Sequence, residues 1–237
     1  MALQHSPRIV TDGLVLSLDA GNTKSYPGSG TTWTDLSRIR ANGTLTNGPT
    51  FSSNNGGTLV FDGVDDYISM GKSFISTGEI ATGDSNYTLE SWFKYSGTPG
   101  ATTSGWSIIG NASNTGIGMQ LMTHNSVVKM NFGYRSNSNF YSTQTLSLSA
   151  DTWYHVVCTR VAGSTPSNRI YINGQIDTIN TNNLTVSSTA AEMQIGWAQG
   201  RITGRYQGNI AVVRLYNTFL TERQVLQNYN ALKGRYA

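Results

Sequence analysis

Hydrophobic and polar residues alternate with a period of two in short runs along most of the chain, and turn residues separate the runs. Successive strand side chains point to opposite faces, so this pattern predicts half-buried β-strands rather than helices. The runs fall at 14–19, 58–61, 67–70, 87–95, 107–109, 116–122, 127–134, 153–161, 169–172, 175–179, 192–197 and 209–216. Asn173-Gly174, between Ile170/Ile172 and Ile176, has the spacing of a two-residue hairpin turn. Gly-, Ser- and Asn-rich stretches at 96–105 and 135–139 read as exposed loops.

Helical spacing is convincing only at the C-terminus. Thr221 and Gln224 stand three apart, as a capping box requires. Val225, Leu226, Tyr229 and Leu232 then share one face, and Gly234 follows where a left-handed cap suits glycine. Lys233 and Arg235 place positive charge at the negative end of the helix dipole. So short a helix is marginal alone and is expected to dock on a sheet or a partner. No proline-rich linker or shift in composition divides the chain, which reads as one domain over 13–237 behind a polar, patternless arm over 1–12.

Composition strengthens the β reading. Among 237 residues only 12% are charged, while 26 Gly, 26 Ser, 29 Thr and 21 Asn supply neutral polarity. Hydroxyl and amide side chains compete with the backbone inside helices and suit turns and strands, so a helical bundle is excluded. A hydrophobic share of 38% with five Trp and twelve Tyr fills a core and excludes a charge-rich disordered chain. The net charge of +3 is scattered, and no basic stripe suggests a nucleic-acid partner. One cysteine, Cys158, leaves no internal disulfide. The N-terminus lacks an apolar stretch of signal-peptide length and no segment is apolar enough to insert in a membrane, so the sequons at Asn42, Asn86, Asn111 and Asn183 read as chance. The expectation is a protein made in a cytoplasm and used there, or released as part of a particle.

Several segments, in order, carry a resemblance. They are GLVLSLDAG at 13–21, FDGVDDYI at 61–68, YTLESWFK at 87–94, WYHVVCTR at 153–160, IYINGQ at 170–175 and IAVVRLYNTFLTERQVLQNYNALKGRY at 210–236. Together they resemble the laminin-G-like, concanavalin-A-like lectin-glucanase jelly-roll family. That resemblance implies an all-β fold of two packed antiparallel sheets with one short C-terminal helix, and function on the loops or the concave face. The phrasing at both chain ends, GLVLSLDAGN and VLQNYNALKGRY, is similar to jelly-roll proteins of tailed bacteriophages, which implies a virion role: capsid decoration, fibre or tail-associated module. Virion proteins, and cell-surface or environmental glycans, are the expected partners, with a homo-oligomer allowed; assembly would take place in the host cytoplasm.

Catalysis on such a sandwich needs two carboxylates, one of them protonated, about 5–10 Å apart. Glu79, Glu90, Glu192 and Glu222 have no acidic neighbour at strand spacing, and Asp62, Asp65 and Asp66 read as caps of a turn, so no enzyme is expected. His5, His124 and His155 lack zinc-ligand spacing, and His155 reads as a framework residue in a strand. No G-x-S-x-G surrounds a serine, Gly71-Lys72-Ser73 lacks the upstream glycine of a phosphate loop, and Cys158 reads as a buried side chain. The resemblance implies a calcium loop beginning at Asp35. Asp35 and Asn42 match it, but Arg38 and Arg40 replace its glycine and asparagine, and Ala211 stands where the family has an acidic residue. That leaves few oxygens for calcium, so no cofactor is expected, with calcium at Asp35 and Asn42 as the alternative.

Sugars are held by aromatic faces and planar polar groups. Trp106, Tyr134, Arg135, Asn137, Asn139, Phe140 and Tyr141 lie in or beside predicted loops and could serve either a glycan or a sheet edge or subunit contact. Trp92, Trp153 and Trp197 read as core. The function this supports is a non-enzymatic virion protein with a lectin-like surface. A free, extracellular bacterial lectin is the alternative, and a glycoside hydrolase the weaker one.

Overall fold

Strands with one apolar face bury it by facing another sheet, and the computed structural model of the protein has that architecture. It describes residues 7–101, 104–112, 116–133, 147–181, 186, 190–200 and 203–236. The strands are β1 (Leu14–Asp19), β2 (Thr32–Trp33), β3 (Gly43–Thr46), β4 (Thr50–Ser52), β5 (Thr58–Asp62), β6 (Tyr67–Ser69), β7 (Tyr87–Tyr95) and β8 (Trp106–Asn111). They continue as β9 (Gly118–His124), β10 (Val127–Gly133), β11 (Tyr154–Val161), β12 (Ser167–Ile172), β13 (Gln175–Asn180), β14 (Met193–Ile195) and β15 (Gln207–Tyr216), and one α-helix follows, α1 (Glu222–Leu232).

Two antiparallel sheets form a jelly-roll sandwich. One runs β13-β12-β11-β7-β15-β5-β4 with β1 also on β15, and the other runs β10-β9-β8-β14-β6-β3-β2. Alternation decides what lies between them. Leu89 and Phe93 of β7, Val156 and Cys158 of β11, and Met119 and Leu121 of β9 all enter the same core. Each large aliphatic or aromatic side chain there contributes about 1.5–3 kcal/mol by leaving water. The hairpin at Asn173-Gly174 is present, with φ of 52° and 79°.

The eight-stranded sheet is buried on its second face too, because the C-terminal segment lies across it. Helix α1 starts at a capping box in which Thr221 and Gln224 exchange bonds. Its buried face holds Val225 and Asn228, whereas Leu226 is 38% exposed. Gly234 does not end it in a left-handed cap: Lys233 stays right-handed and the chain runs into a 3-10 turn over Lys233–Arg235. That turn brings Tyr236 onto Trp92, stacked with ring centroids 4.3 Å apart, and Arg235 onto both carboxylate oxygens of Asp19. The proposed arm over 1–12 is anchored at its far end. Val10 is buried, its N–H donates to Asn228 Oδ1 at 2.8 Å, and Gln227 donates to the Arg8 carbonyl.

Candidate functional site

The outward face of the seven-stranded sheet carries some of the buried polar side chains that lack a partner among the described residues. Alternation sends Met119, Leu121, Met130 and Phe132 into the core and leaves Gln120 and Asn131 pointing away from it. Register sets Gln120 opposite Asn131 on one side and opposite Ser107 of β8 on the other, so three neutral polar residues form a row across three strands. Ser107 and Gln120 are buried, and among the described residues the Ser107 hydroxyl and both amide atoms of Gln120 have no hydrogen-bond partner. An unmet buried polar group costs about 1–3 kcal/mol. Their neighbours are occupied. Asn131 Oδ1 lies 3.2 Å from the His124 ring, and Gln194 of β14 donates to Glu192 and accepts from the Gln199 N–H.

At the far end of the same face Tyr67 and Trp197 meet edge to face at 5.5 Å, and both are half-buried. The Arg205 guanidinium lies 3.3 Å above the Trp197 ring. The face therefore combines neutral amides and a hydroxyl with aromatic surface at its margin. Such a combination suits a polyhydroxylated ligand.

A family model for concanavalin A-like lectin/glucanases, Laminin_G_3, matches residues 61–226. The chain belongs to that superfamily. Among curated proteins none matches the sequence. Solved structures share the lectin-like fold at low identity. Domain 4 of an extracellular arabinanase from Geobacillus stearothermophilus, solved with arabinotriose, superposes at a TM-score of 0.68 with 18% identity, over 93% of this chain and 100% of that one. Trypanosoma rangeli sialidase gives 0.65 with 17% identity, over 99% of this chain and 36% of that one. The receptor-binding domain of botulinum neurotoxin D gives 0.64 with 14% identity, over 92% of this chain and 52% of that one. This lectin-like domain thus spans about a third of the sialidase and about half of the toxin fragment.

Within this lectin-like domain only Trp106, of the residues expected to hold a glycan, falls among the described residues. Trp106 begins β8 and is buried, with its ring edge-on to Tyr95 and Tyr206, because the strand starts one residue earlier than its pattern suggested. Tyr134, Arg135, Asn137, Asn139, Phe140 and Tyr141 lie outside the described residues. Trp92 is packed as read, but Trp153 and Trp197 are only half-buried.

Asp35 and Asn42 do come together. The Asp35 Oδ1 accepts from the N–H groups of Ser17 and Ser37, both at 2.8 Å, and Oδ2 accepts from Ser37 Oγ at 2.7 Å and the Ala41 N–H at 2.9 Å. Asn42 Oδ1 accepts from the Asp35 N–H at 3.0 Å. Each Asp35 oxygen already has two donors, so the carboxylate organises its own loop. Asp62, Asp65 and Asp66 lie within 4.8 Å of one another. Asp62 caps the Val64 N–H and Asp66 caps the Asp62 N–H, the turn-capping role read from the sequence. Burial, foremost, pushes the Asp66 carboxyl up. Burial also pushes the Cys158 thiol well up and keeps it protonated.

One constellation was invisible along the sequence. Glu90 on β7 is fully buried beneath α1, with Arg214 at 2.6 Å, His155 at 3.1 Å, Asn228 at 2.7 Å and Tyr216 at 3.2 Å. Burial alone would raise its carboxyl, but the Arg214 charge, together with His155 and Asn228, outweighs that and holds it at about 2. Arg214 stays charged opposite it, and burial raises the Tyr216 hydroxyl so that its proton remains available to donate. The partners come from β11, β15 and α1, so a search for acidic pairs along one strand passes over them. The signal that could have found them is cross-strand register, which sets Arg214 directly opposite Glu90.

Proposed function

We propose that this domain is a non-enzymatic, glycan-binding component of a bacteriophage particle, serving as a capsid decoration, fibre or tail-associated module. The observation that carries the glycan reading is the row of Ser107 and Gln120 on the outward sheet face, whose buried polar atoms lack partners among the described residues. Sugar hydroxyls both donate and accept, as an amide and a hydroxyl side by side require. Similarity to proteins solved with a saccharide or sialidase inhibitor, and to a toxin's receptor-binding domain, supports the same reading.

The non-catalytic part rests on how the carboxylates are used. Glu90 is locked to Arg214, Glu79 to Lys72, and Glu192 accepts from Ser69, the Gly71 N–H and Gln194. A general acid needs a carboxyl held protonated near neutral pH, whereas Glu90 and Glu79 are both shifted the opposite way. The virion part rests on the phrasing at both chain ends and on the low charge, which lets copies pack closely with little repulsion. Similarity to a domain of an extracellular arabinanase favours a second reading, a free lectin. Mass spectrometry of purified particles separates the two. The virion reading expects this chain on particles, and its absence there would promote the free lectin. A glycan array with the purified chain tests binding itself.

A further inference from the structure

Loop 36–40 is held rigid and yet presents apolar and cationic groups to solvent. Asp35 fixes its base with four accepted hydrogen bonds, one of them from the Ser17 N–H, which ties the loop to β1, and Ser37 Oγ also lies 3.1 Å from the Val15 carbonyl. On that base Leu36 is 41% and Ile39 38% exposed. Arg38 and Arg40 are exposed, and Arg40 sits at a left-handed φ of 54°, which a long side chain seldom adopts. Among the described residues neither guanidinium has an ion-pair partner. Beside the loop lies a depression of about 360 Å³ lined by Leu14, Leu36, Asp12 and Arg38 among others.

The turn at 62–66 is its chemical complement. Val64 stands at the tip, 71% exposed, with the exposed carboxylates of Asp62 and Asp65 on either side. The two patches occupy opposite ends of β3. That strand pairs with β6, Thr44 opposite Ser69 and Thr46 opposite Tyr67, so the loop precedes the start of β3 while the turn lies beside its end. About four residues of strand, roughly 13 Å, separate them. They cannot meet within one molecule, but translation along the strand brings them together in two. Asp12 beside the loop and Arg205, which donates to the Asp65 carbonyl, reduce each charge without changing either sign.

We propose that copies of this chain associate head to tail, with Val64 of one copy seated beside Leu36 and Ile39 of the next. Asp62 and Asp65 then face Arg38 and Arg40. The contact joins two different patches, so in a pair one copy keeps its loop free and the other its turn, and the association extends into a ring or a filament. It stands whether or not the domain binds a glycan.

Sedimentation equilibrium of the full chain tests it. At low salt the weight-average mass should exceed 25.7 kDa and rise with concentration. It should fall back at about 1 M salt, where the Debye length is about 3 Å. Arg38→Glu with Arg40→Glu, and separately Asp62→Lys with Asp65→Lys, should each weaken association by about tenfold or more. The loop variant should melt like the wild type, because both arginines are exposed, and the turn variant should melt slightly lower, because it also loses the Asp62 cap on the Val64 N–H. Mixing them should restore association, since reversed loop meets reversed turn and intact loop meets intact turn. Val64→Ser, which spares the Asp62 cap, should weaken it several-fold. A mass fixed at 25.7 kDa at every concentration, full association in either reversed variant, or a mixture no better than its components would overturn the proposal.

Discussion

Taking away the Glu90 carboxylate would leave Arg214 buried without its counter-charge and would deprive Asn228 and Tyr216 of a charged acceptor. Breaking a buried pair from one side costs about 3–5 kcal/mol, so Glu90→Gln is expected to lose that much stability in urea unfolding. The same group sets an acid limit. Its carboxyl is held at about 2 in the folded protein against 4.5 when free, so its contribution is complete above 4.5 and fades as pH falls toward 2. Unfolding midpoints across that window should drop for the wild type, and the drop should be smaller in Glu90→Gln. Asp35 gives a second residue-scale test. Asp35→Ala orphans four donors and should cost about 2–4 kcal/mol. Calcium and EDTA should leave the wild-type melting temperature nearly unchanged, because those donors already fill the carboxylate. A calcium-dependent rise of about ten degrees, several kcal/mol for a domain of this size, would show that the loop holds the ion after all.

Helix α1 owes its place to its cap as much as to its apolar face. Thr221→Ala removes the acceptor for the Gln224 N–H and should cost about 1 kcal/mol by chemical denaturation. This helix and the long strands were legible in the sequence, because runs such as Tyr87–Tyr95 and Gln207–Tyr216 hold their alternation over many residues. The strands β2, β3 and β4 were not. With two, four and three residues, they are too short for a period to show, and register with their neighbours defines them. The same limit hid the candidate site. Gln120 follows the alternation of β9, but that its amide would lie buried beside Ser107 depends on the pairing of β8 with β9. Trp106 stands directly beside the predicted loop 96–105, and that its side chain would be buried depends on β8 beginning at its own position.

At the scale of the whole molecule, the two sheets divide the labour. The eight-stranded sheet is closed on its outer face by α1, Tyr236 and Val10, with an ion pair sealed beneath, and so serves as the frame. The seven-stranded sheet keeps neutral polar groups on its outer face, and that is where a ligand is expected to bind. Few charges and a net +3 predict that binding there depends little on salt, unlike the head-to-tail contact. The central claim is that a glycan is bound through Ser107 and Gln120 and is not cleaved. Calorimetric titration of the wild type and of Ser107→Ala and Gln120→Ala with the best glycan from an array tests it most directly, with the sugar recovered and sized afterwards. The account predicts wild-type binding, a loss of about tenfold in each variant, unchanged melting temperatures or slight rises, and sugar recovered intact. Equal binding by all three proteins, or sugar recovered in shortened pieces, would contradict it.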